Sequence, residues 1–438
     1  MRRVRAFFGG IHPNDNKQNT NSTPIKVLPA PAVVVVPLQQ HAGREAKPLV
    51  AKGDEVLKGQ LIAEAEGRIS ARVHSPVSGK VVAVEPRPSA SGRPLTCVVI
   101  ENDGEERWVE KEGHPDPVQL DAQTILQRIH GAGIVGMGGA GFPTAVKLAP
   151  PKEATIDYLL LNGCECEPYL TTDHRLMVEH AEEIVLGAKL MAKACGARKI
   201  IIGVEDNKPD AIAALREKAG AIEVAVLRTR YPQGGEKQLI QALTGREVPS
   251  GGLPFQAGCV VQNVGTAWAV AKALRDGEPL ISRVVTVTGS AVAEPQNFLV
   301  PIGTPFKDLI EAAGGFAKTP GKVVAGGPMT GGAQFSLDVP VTKTIGGILA
   351  FAEGESTTPD SQPCIKCARC VDVCPANLLP LKLEAYGMNE QFDNAREYGA
   401  LDCIECGCCT YICPSKRPLL HYIRFAKAEI IAREKRSS

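Results

Sequence analysis

Cys364-x2-Cys367-x2-Cys370-x3-Cys374-Pro375 and Cys403-x2-Cys406-x2-Cys409-x3-Cys413-Pro414 are two copies of one cysteine word. Three thiolates two residues apart can wrap three irons of one cubane, because so tight a turn aims its sulfurs at a common centre. The fourth ligand must then come from elsewhere. In the bacterial two-cluster pattern the cysteine before proline ligates the other cluster. That pattern assigns Cys364, Cys367, Cys370 and Cys413 to one 4Fe-4S centre, and Cys403, Cys406, Cys409 and Cys374 to a second. Crossed ligation ties both words into one unit and brings the centres close enough for electron hopping. A pair of zinc sites is the competing reading, but zinc takes four thiolates spaced as two separated Cys-x2-Cys knuckles. Cys408 is off the register of its word and reads as a free thiol packed beside a cluster.

Outward from these words, the composition bounds the rest. The 438 residues allow about three domains, and a hydrophobic fraction of 44% is ordinary for packed cores. With 49 basic against 48 acidic residues, the chain lacks the strongly basic footprint of a nucleic-acid binder. Its start, Met1 to Phe8, carries Arg2, Arg3 and Arg5 without the apolar run of a secretory signal. Apolar stretches such as Val33 to Val36 fall far short of the roughly eighteen residues of a membrane span. Eight of the fourteen cysteines fall in the cluster words, and thiolates kept available imply a reducing, cytoplasmic compartment.

Along the chain, the polar run Asn14 to Thr23 reads as part of a flexible tail over 1–24. From Val33 to Val99 short β-rich runs alternate with Gly and Pro turns, which predicts a small all-β module over 25–115. Residues 116–278 alternate helical and strand patterns: Ala122 to His130, Tyr158 to Leu161, Glu179 to Ala194, Lys199 to Val204, Pro209 to Ala219. That alternation predicts an α/β layer structure. Arg283 to Thr288, Phe298 to Pro301, helical Pro305 to Ala313 and Lys322 to Ala325 suggest a compact α+β unit over 279–352. The Ser-, Thr-, Pro- and Asp-rich stretch 353–362 reads as a linker. In the cluster domain, 363–438, Leu378 to Tyr398 and Pro414 to Arg436 read as helices. The fold class expected is therefore multidomain α/β and α+β.

A second chemical word lies in Gly131-Ala132-Gly133-Ile134-Val135-Gly136-Met137-Gly138-Gly139-Ala140-Gly141-Phe142-Pro143-Thr144-Ala145-Val146-Lys147. It holds more glycine than a helix or strand tolerates. Successive N–H groups without Cβ shielding form an anion-binding nest, and a following lysine adds a positive charge for a phosphate. A bare Gly-x-Gly-x-x-Gly match is weak and equally describes an ordinary turn. The full word, followed after a short strand by Asn162-Gly163-Cys164-Glu165-Cys166-Glu167-Pro168, is more specific.

These words resemble the NADH-binding flavoprotein subunit of respiratory complex I, in which a glycine loop cradles FMN and NADH stacks above it. The resemblance implies a Rossmann-like FMN and NADH domain with Gly136, Gly138, Gly139, Gly141 and Lys147 at the cofactor. It maps Asn162 and Glu165 to the FMN pocket, Glu167 to the dinucleotide side and Phe142 to the adenine. Cys164 and Cys166 replace an Asp and a Ser of that family. Tyr231-Pro232-Gln233-Gly234-Gly235-Glu236-Lys237 keeps only Glu236 of a Gly-Glu-Glu word, and Gln262-Asn263-Val264 matches Asn-Asn-Val, which adds Asn263. The β module resembles lipoyl and biotinyl carrier domains, a barrel sandwich, but has Glu66-Gly67-Arg68-Ile69-Ser70 where the modified lysine stands, so it reads as a scaffold.

The whole order, from Phe8-Gly9-Gly10-Ile11-His12-Pro13 to the last cluster, resembles the RnfC family, the C subunits of Rnf-type electron transport complexes. That resemblance implies a β-grasp-like, soluble-ligand-binding third unit and a helical two-cluster ferredoxin domain. It also implies an NADH-linked oxidoreductase component of an ion-translocating membrane complex, in which electrons run from NADH through FMN to two 4Fe-4S clusters. Its partners would be integral membrane and flavoprotein subunits, with ferredoxin met indirectly, at the cytoplasmic side of the cell (inner) membrane. Hydride transfer needs orientation and electrostatics more than a general acid, so no catalytic side chain is assigned. His74, His130 and His174 lack metal spacing. The final helix, with Leu419, Leu420, Ile423, Ala426 and Ile430 beside Arg424 and Lys427, either docks on partners or lipid or covers the cluster domain. Two other readings stay open: the NADH dehydrogenase module of a soluble hydrogenase or disulfide reductase complex, and a flavin-free iron-sulfur relay.

Overall fold

Val33–Pro37 alternates buried and accessible residues, as a half-buried antiparallel strand should. In the computed structural model, which describes residues 5–355 and 360–437, this strand pairs with Leu95–Asn102. Gly79–Arg87 and Glu55–Val56 complete a four-stranded sheet. Against it packs a three-stranded sheet of Lys47–Pro48, Leu61–Glu64 and Val73–His74. Val34, Val36, Ile62, Val81, Val98 and Ile100 fill the space between.

The next strands, Tyr158–Gly163, Lys199–Glu205, Glu223–Leu227 and Cys259–Asn263, are continuous apolar runs, the mark of a parallel sheet buried on both faces. They are all parallel, and Tyr158–Gly163 lies between Lys199–Glu205 and Cys259–Asn263. Successive residues point to opposite faces. Leu159, Leu161, Ile202 and Val204 meet helices Ala181–Cys195 and Val264–Asp276 on one side. Leu160, Ile201 and Val261 meet Glu236–Thr244 on the other.

A mixed six-stranded sheet follows, with Ser282–Thr288 and Gly347–Ala352 at its centre and helix Phe306–Ala312 packed through Phe306, Leu309 and Ile310. The cluster domain is helical: Pro380–Met388, Phe392–Glu397 and the long Leu419–Ser437 enclose Leu383, Phe392, Ile423, Ala426 and Ile430. The apolar stripe of the final helix is thus the core of its own domain.

Two expectations need correction. The stretch read as a flexible tail is packed over its described part, residues 5–24: Phe7, Ile11, Lys17 and Thr20 are buried. Polarity misled because the Lys17 ammonium is satisfied by three backbone carbonyls, those of Glu165, Glu167 and Leu170. Lys26–Val27 then adds an edge strand to the distant six-stranded sheet. Residues 1–4 lie outside the described residues, as do 356–359 of the 353–362 linker. Second, the helix expected over Leu378 to Tyr398 is two helices, because Glu390 takes a positive φ of 54° that a helix cannot contain.

Candidate functional site

In an open α/β sheet, ligands bind outside the carboxyl ends of the strands where strand order reverses. Here that point lies between Tyr158–Gly163 and Cys259–Asn263. Asn162 and Asn263 stand side by side there in register. The candidate residues converge on this end of the sheet.

The glycine run forms a loop closed at its neck, where the Gly136 N–H donates to the Phe142 carbonyl at 2.9 Å and that of Thr144 to Ile134 at 3.0 Å. Its tip is held from two sides. The Met137 N–H donates to Thr266 Oγ1 at 3.0 Å, and the Gly141 carbonyl accepts from the Ala42 N–H of the β module at 3.1 Å. Gly138 and Gly139 are exposed. A Cβ at Gly138 would lie 2.9 Å from Asn263 Nδ2, whereas one at Gly139 would meet nothing within 4 Å. Gly141, at φ 67°, would press on Thr344, Gln40 and His41. Phe142 is half-buried at the neck.

Each remaining candidate has a defined partner. Lys147 is paired with Glu236 at 2.5 Å, both part-exposed. Asn162 Nδ2 donates to the Gly234 carbonyl at 2.9 Å. Asn263 Oδ1 caps Val264–Asp276 by accepting from the Gly265 and Thr266 N–H groups, and its Nδ2 donates to Asp173 at 2.7 Å. Glu165 accepts from Thr172 Oγ1 and from the N–H groups of Asp173 and His174, tying down helix Thr172–Glu179. Glu167 faces the third unit, accepting from the Met329 N–H at 3.0 Å and from Thr330 Oγ1, and burial raises its carboxyl. Glu165 and Glu167 are therefore bound to the framework, while the glycine tip, Lys147 and Asn162 line the accessible side. An open cleft of about 780 Å³ flanked by Asp157, Arg246 and Gln256 lies at the opposite, amino end of the strands and contains none of these residues.

These residues fit a bound flavin phosphate on two observations. Gly139 leaves its backbone bare where a side chain would otherwise stand, and buried Gln233, in the loop whose Gly234 and Glu236 meet Asn162 and Lys147, has neither side-chain polar atom partnered. Buried polar atoms normally find partners.

Sequence reasoning missed three buried groups. Besides Lys17, Lys343 reaches the root of the glycine loop, donating to the carbonyls of Gly133 and Arg72, each at 2.7 Å. Burial without a carboxylate lowers its ammonium to about 7. Asp173 is pushed up to about 7, first by burial and then by Glu165. No periodicity or spacing marks such residues.

Among the described residues no three of the cysteines are gathered tightly enough to hold a single metal ion, but the neighbours they do have run across the two words: Cys374 lies near Cys406 and Cys409, and Cys413 near Cys370. Burial and then Cys406, Cys403 and Cys374 raise the Cys409 thiol to about 12, so Cys374 of the first word sits among the second. Burial raises the Cys370 thiol, and the neighbouring Cys413 and Cys364 add to the effect. Cys364 and Cys367 are exposed, whereas Cys374 and Cys409 are buried. Off-register Cys408 is buried against the Tyr231 carbonyl.

Known proteins match in the same order. An RnfC barrel sandwich hybrid domain matches residues 5–105, a Nuo51 FMN-binding domain 129–272, an SLBB domain 284–332 and a 4Fe-4S dicluster domain 363–417. The chain is 47% identical over 432 residues to the C subunit of the proton-translocating ferredoxin:NAD(+) oxidoreductase complex of Clostridium ljungdahlii, covering 97% of this chain and 94% of that protein. It is 48% identical over 438 residues to the C subunit of the Na(+)-translocating ferredoxin:NAD(+) oxidoreductase complex of Acetobacterium woodii, covering 99% of each. A solved NAD+-reducing NiFe hydrogenase aligns with a TM-score of 0.51 at 22% identity over 70% of this chain and 66% of that one, a likeness of fold.

Proposed function

This chain belongs to the RnfC family, the C subunits of ion-translocating ferredoxin:NAD(+) oxidoreductase complexes, and on that premise we propose that it is the two-to-one electron converter of such a complex. When bound, FMN exchanges a hydride's electron pair with a nicotinamide and exchanges single electrons with iron-sulfur centres. The chain's own part is to hold and orient. The exposed backbone of Gly138 and Gly139 would receive the phosphate, with Gly136 and Gly141 shaping the loop on either side of it and Lys147 released from Glu236 to neutralise the charge. Asn162 and Asn263, adjacent at the strand ends, would bound the flavin from below. Phe142 would flank the dinucleotide. Cys364, Cys367, Cys370 and Cys413 would hold one cluster, and Cys403, Cys406, Cys409 and Cys374 the other.

The observation that carries this reading is spatial. The glycine loop and the second cysteine quartet approach the same loop, Tyr231 to Glu236: Glu236 meets Lys147, and Tyr231 Oη donates to the Cys406 carbonyl at 2.8 Å. A cluster held by the second quartet would therefore be the nearer to a bound flavin, and one held by the first, with Cys364 and Cys367 exposed, would face the next protein. Among the described residues no helix is long and apolar enough to cross a membrane. In this reading ion movement would belong to other components of the complex, and the chain would sit peripherally at the cytoplasmic face beside integral membrane and flavoprotein partners. Cofactor content after anaerobic purification tests the reading. One FMN and about eight irons per chain support it; irons without flavin would leave a relay fed by another protein.

A further inference from the structure

We infer that Tyr231 is a positioning residue for one-electron transfer, fixing the separation between the flavin pocket and the second cysteine quartet; this rests on the flavin reading above. Its side chain is 3% exposed and lies in an apolar cluster with Ile11 and Cys408, against which Cys166, Met329 and Cys406 pack. Cys166 belongs to the word that follows the glycine loop, and Cys406 is a cluster cysteine. One ring therefore stands between the two sites.

Its attachments run to both. Tyr231 Oη donates to the Cys406 carbonyl at 2.8 Å, and Cys408 Sγ lies 3.9 Å from the Tyr231 carbonyl. Ile11 brackets the residue, with N–H to carbonyl bonds of 2.8 and 3.0 Å in the two directions. Three residues on, the Gly234 N–H donates to Cys166 Sγ at 3.3 Å and its carbonyl accepts from Asn162 at 2.9 Å. Two further contacts fall on the chain around Cys374, the crossed ligand of the same quartet. Gln238 Nε2 donates to the Pro375 carbonyl at 3.2 Å, and the Gly10 N–H to the Val373 carbonyl at 2.9 Å. A Cβ on Gly9 would stand 3.0 Å from the Cys374 carbonyl, so the backbones touch there.

These anchors hold the second quartet at Cys406 and at Cys374, the ligands from both words. Among the described residues Tyr231 carries the hydrogen bond that joins the Cys406 anchor to the loop meeting Asn162, with Met329 and Cys166 packed beside it. The transfer would balance between the two groups that the chain holds, a reduced flavin giving up one electron and a cluster on the second quartet gaining it. Tyr231 neither gains nor loses an electron or a proton.

The test compares the full-length wild type, Y231F and Y231L, purified anaerobically, by stopped-flow after NADH addition. Flavin bleaching and cluster reduction are followed separately, with rapid-freeze EPR for the clusters. Both variants should retain FMN and iron, bleach flavin at the wild-type rate and give full cluster signals with dithionite. Cluster reduction after bleaching should slow in Y231F and fall by about tenfold or more in Y231L, since small displacements of reacting groups carry large rate penalties. Wild-type cluster reduction in both variants would overturn the inference alone. Loss of iron in Y231F would also overturn it, by making Tyr231 a residue of cluster retention. A wild-type chain that binds no FMN would overturn the flavin reading and this inference together.

Discussion

Gly139→Ala separates a ligand-binding loop from an ordinary turn. Gly139 is exposed, its φ lies outside the left-handed region, and a Cβ built on it meets nothing within 4 Å. In the ligand-free chain alanine is therefore tolerated. It should even stabilise by about 0.4–1 kcal/mol, because the unfolded chain loses conformational freedom. If a phosphate rests on this backbone, the added methyl must instead overpack the cradle, at a cost of about 1–3 kcal/mol. That corresponds to an FMN affinity lower by about 5- to 150-fold. Titration of flavin-free protein with FMN, read by flavin fluorescence, gives the affinity, and a thermal melt of the same preparation gives the stability. Gly138→Ala is the contrasting control. Its methyl would strike Asn263, which is held by Asp173 and by the helix cap, so both stability and FMN binding should fall. FMN affinity unchanged in Gly139→Ala would refute the assignment of the glycine loop as the phosphate cradle.

Crossed ligation predicts an exchange of phenotypes between the words: Cys374→Ser should degrade the EPR signal of the cluster otherwise held by the second word, and Cys413→Ser that of the first. Effects confined to each cysteine's own word would contradict the crossing. Lys343 predicts a pH dependence. Its ammonium is lowered by burial to about 7, while the unfolded chain keeps its proton to about 10.4. Between these values the unfolded state binds more protons, so stability should rise with pH, and the penalty of burying the charge is felt in full below about 7. From pH 7 to 9 the stability of wild type relative to Lys343→Met should improve by about 2–3 kcal/mol, measured by denaturant unfolding; a difference independent of pH would show that the folded chain keeps the lysine charged throughout.

The two cysteine words, the glycine loop and the parallel-sheet strands were legible because spacing and periodicity are local. Pro209–Ala219 falls where its pattern puts a helix, and the switch point follows from strand order. What escaped the sequence depends on distant partners. Lys17 sits in an asparagine-rich run that looks unstructured, yet three carbonyls some 150 residues away bury it. Lys343 has no carboxylate to announce it, only the carbonyls of Arg72 and Gly133. Glu165 and Glu167 carry the motif that the flavin resemblance selects, while their carboxylates are engaged by a helix start and by the third unit. Tyr231 stands in a quoted word, but its bond to Cys406 spans 175 positions and no local pattern encodes it.

The measurement closest to the central claim is anaerobic EPR of the purified full-length chain, frozen at intervals after mixing with NADH. The account predicts that flavin bleaches first and that cluster signals then develop, the cluster of Cys403, Cys406, Cys409 and Cys374 ahead of the other. Clusters that stay oxidised with NADH while dithionite reduces them, in protein carrying its full FMN, would contradict it.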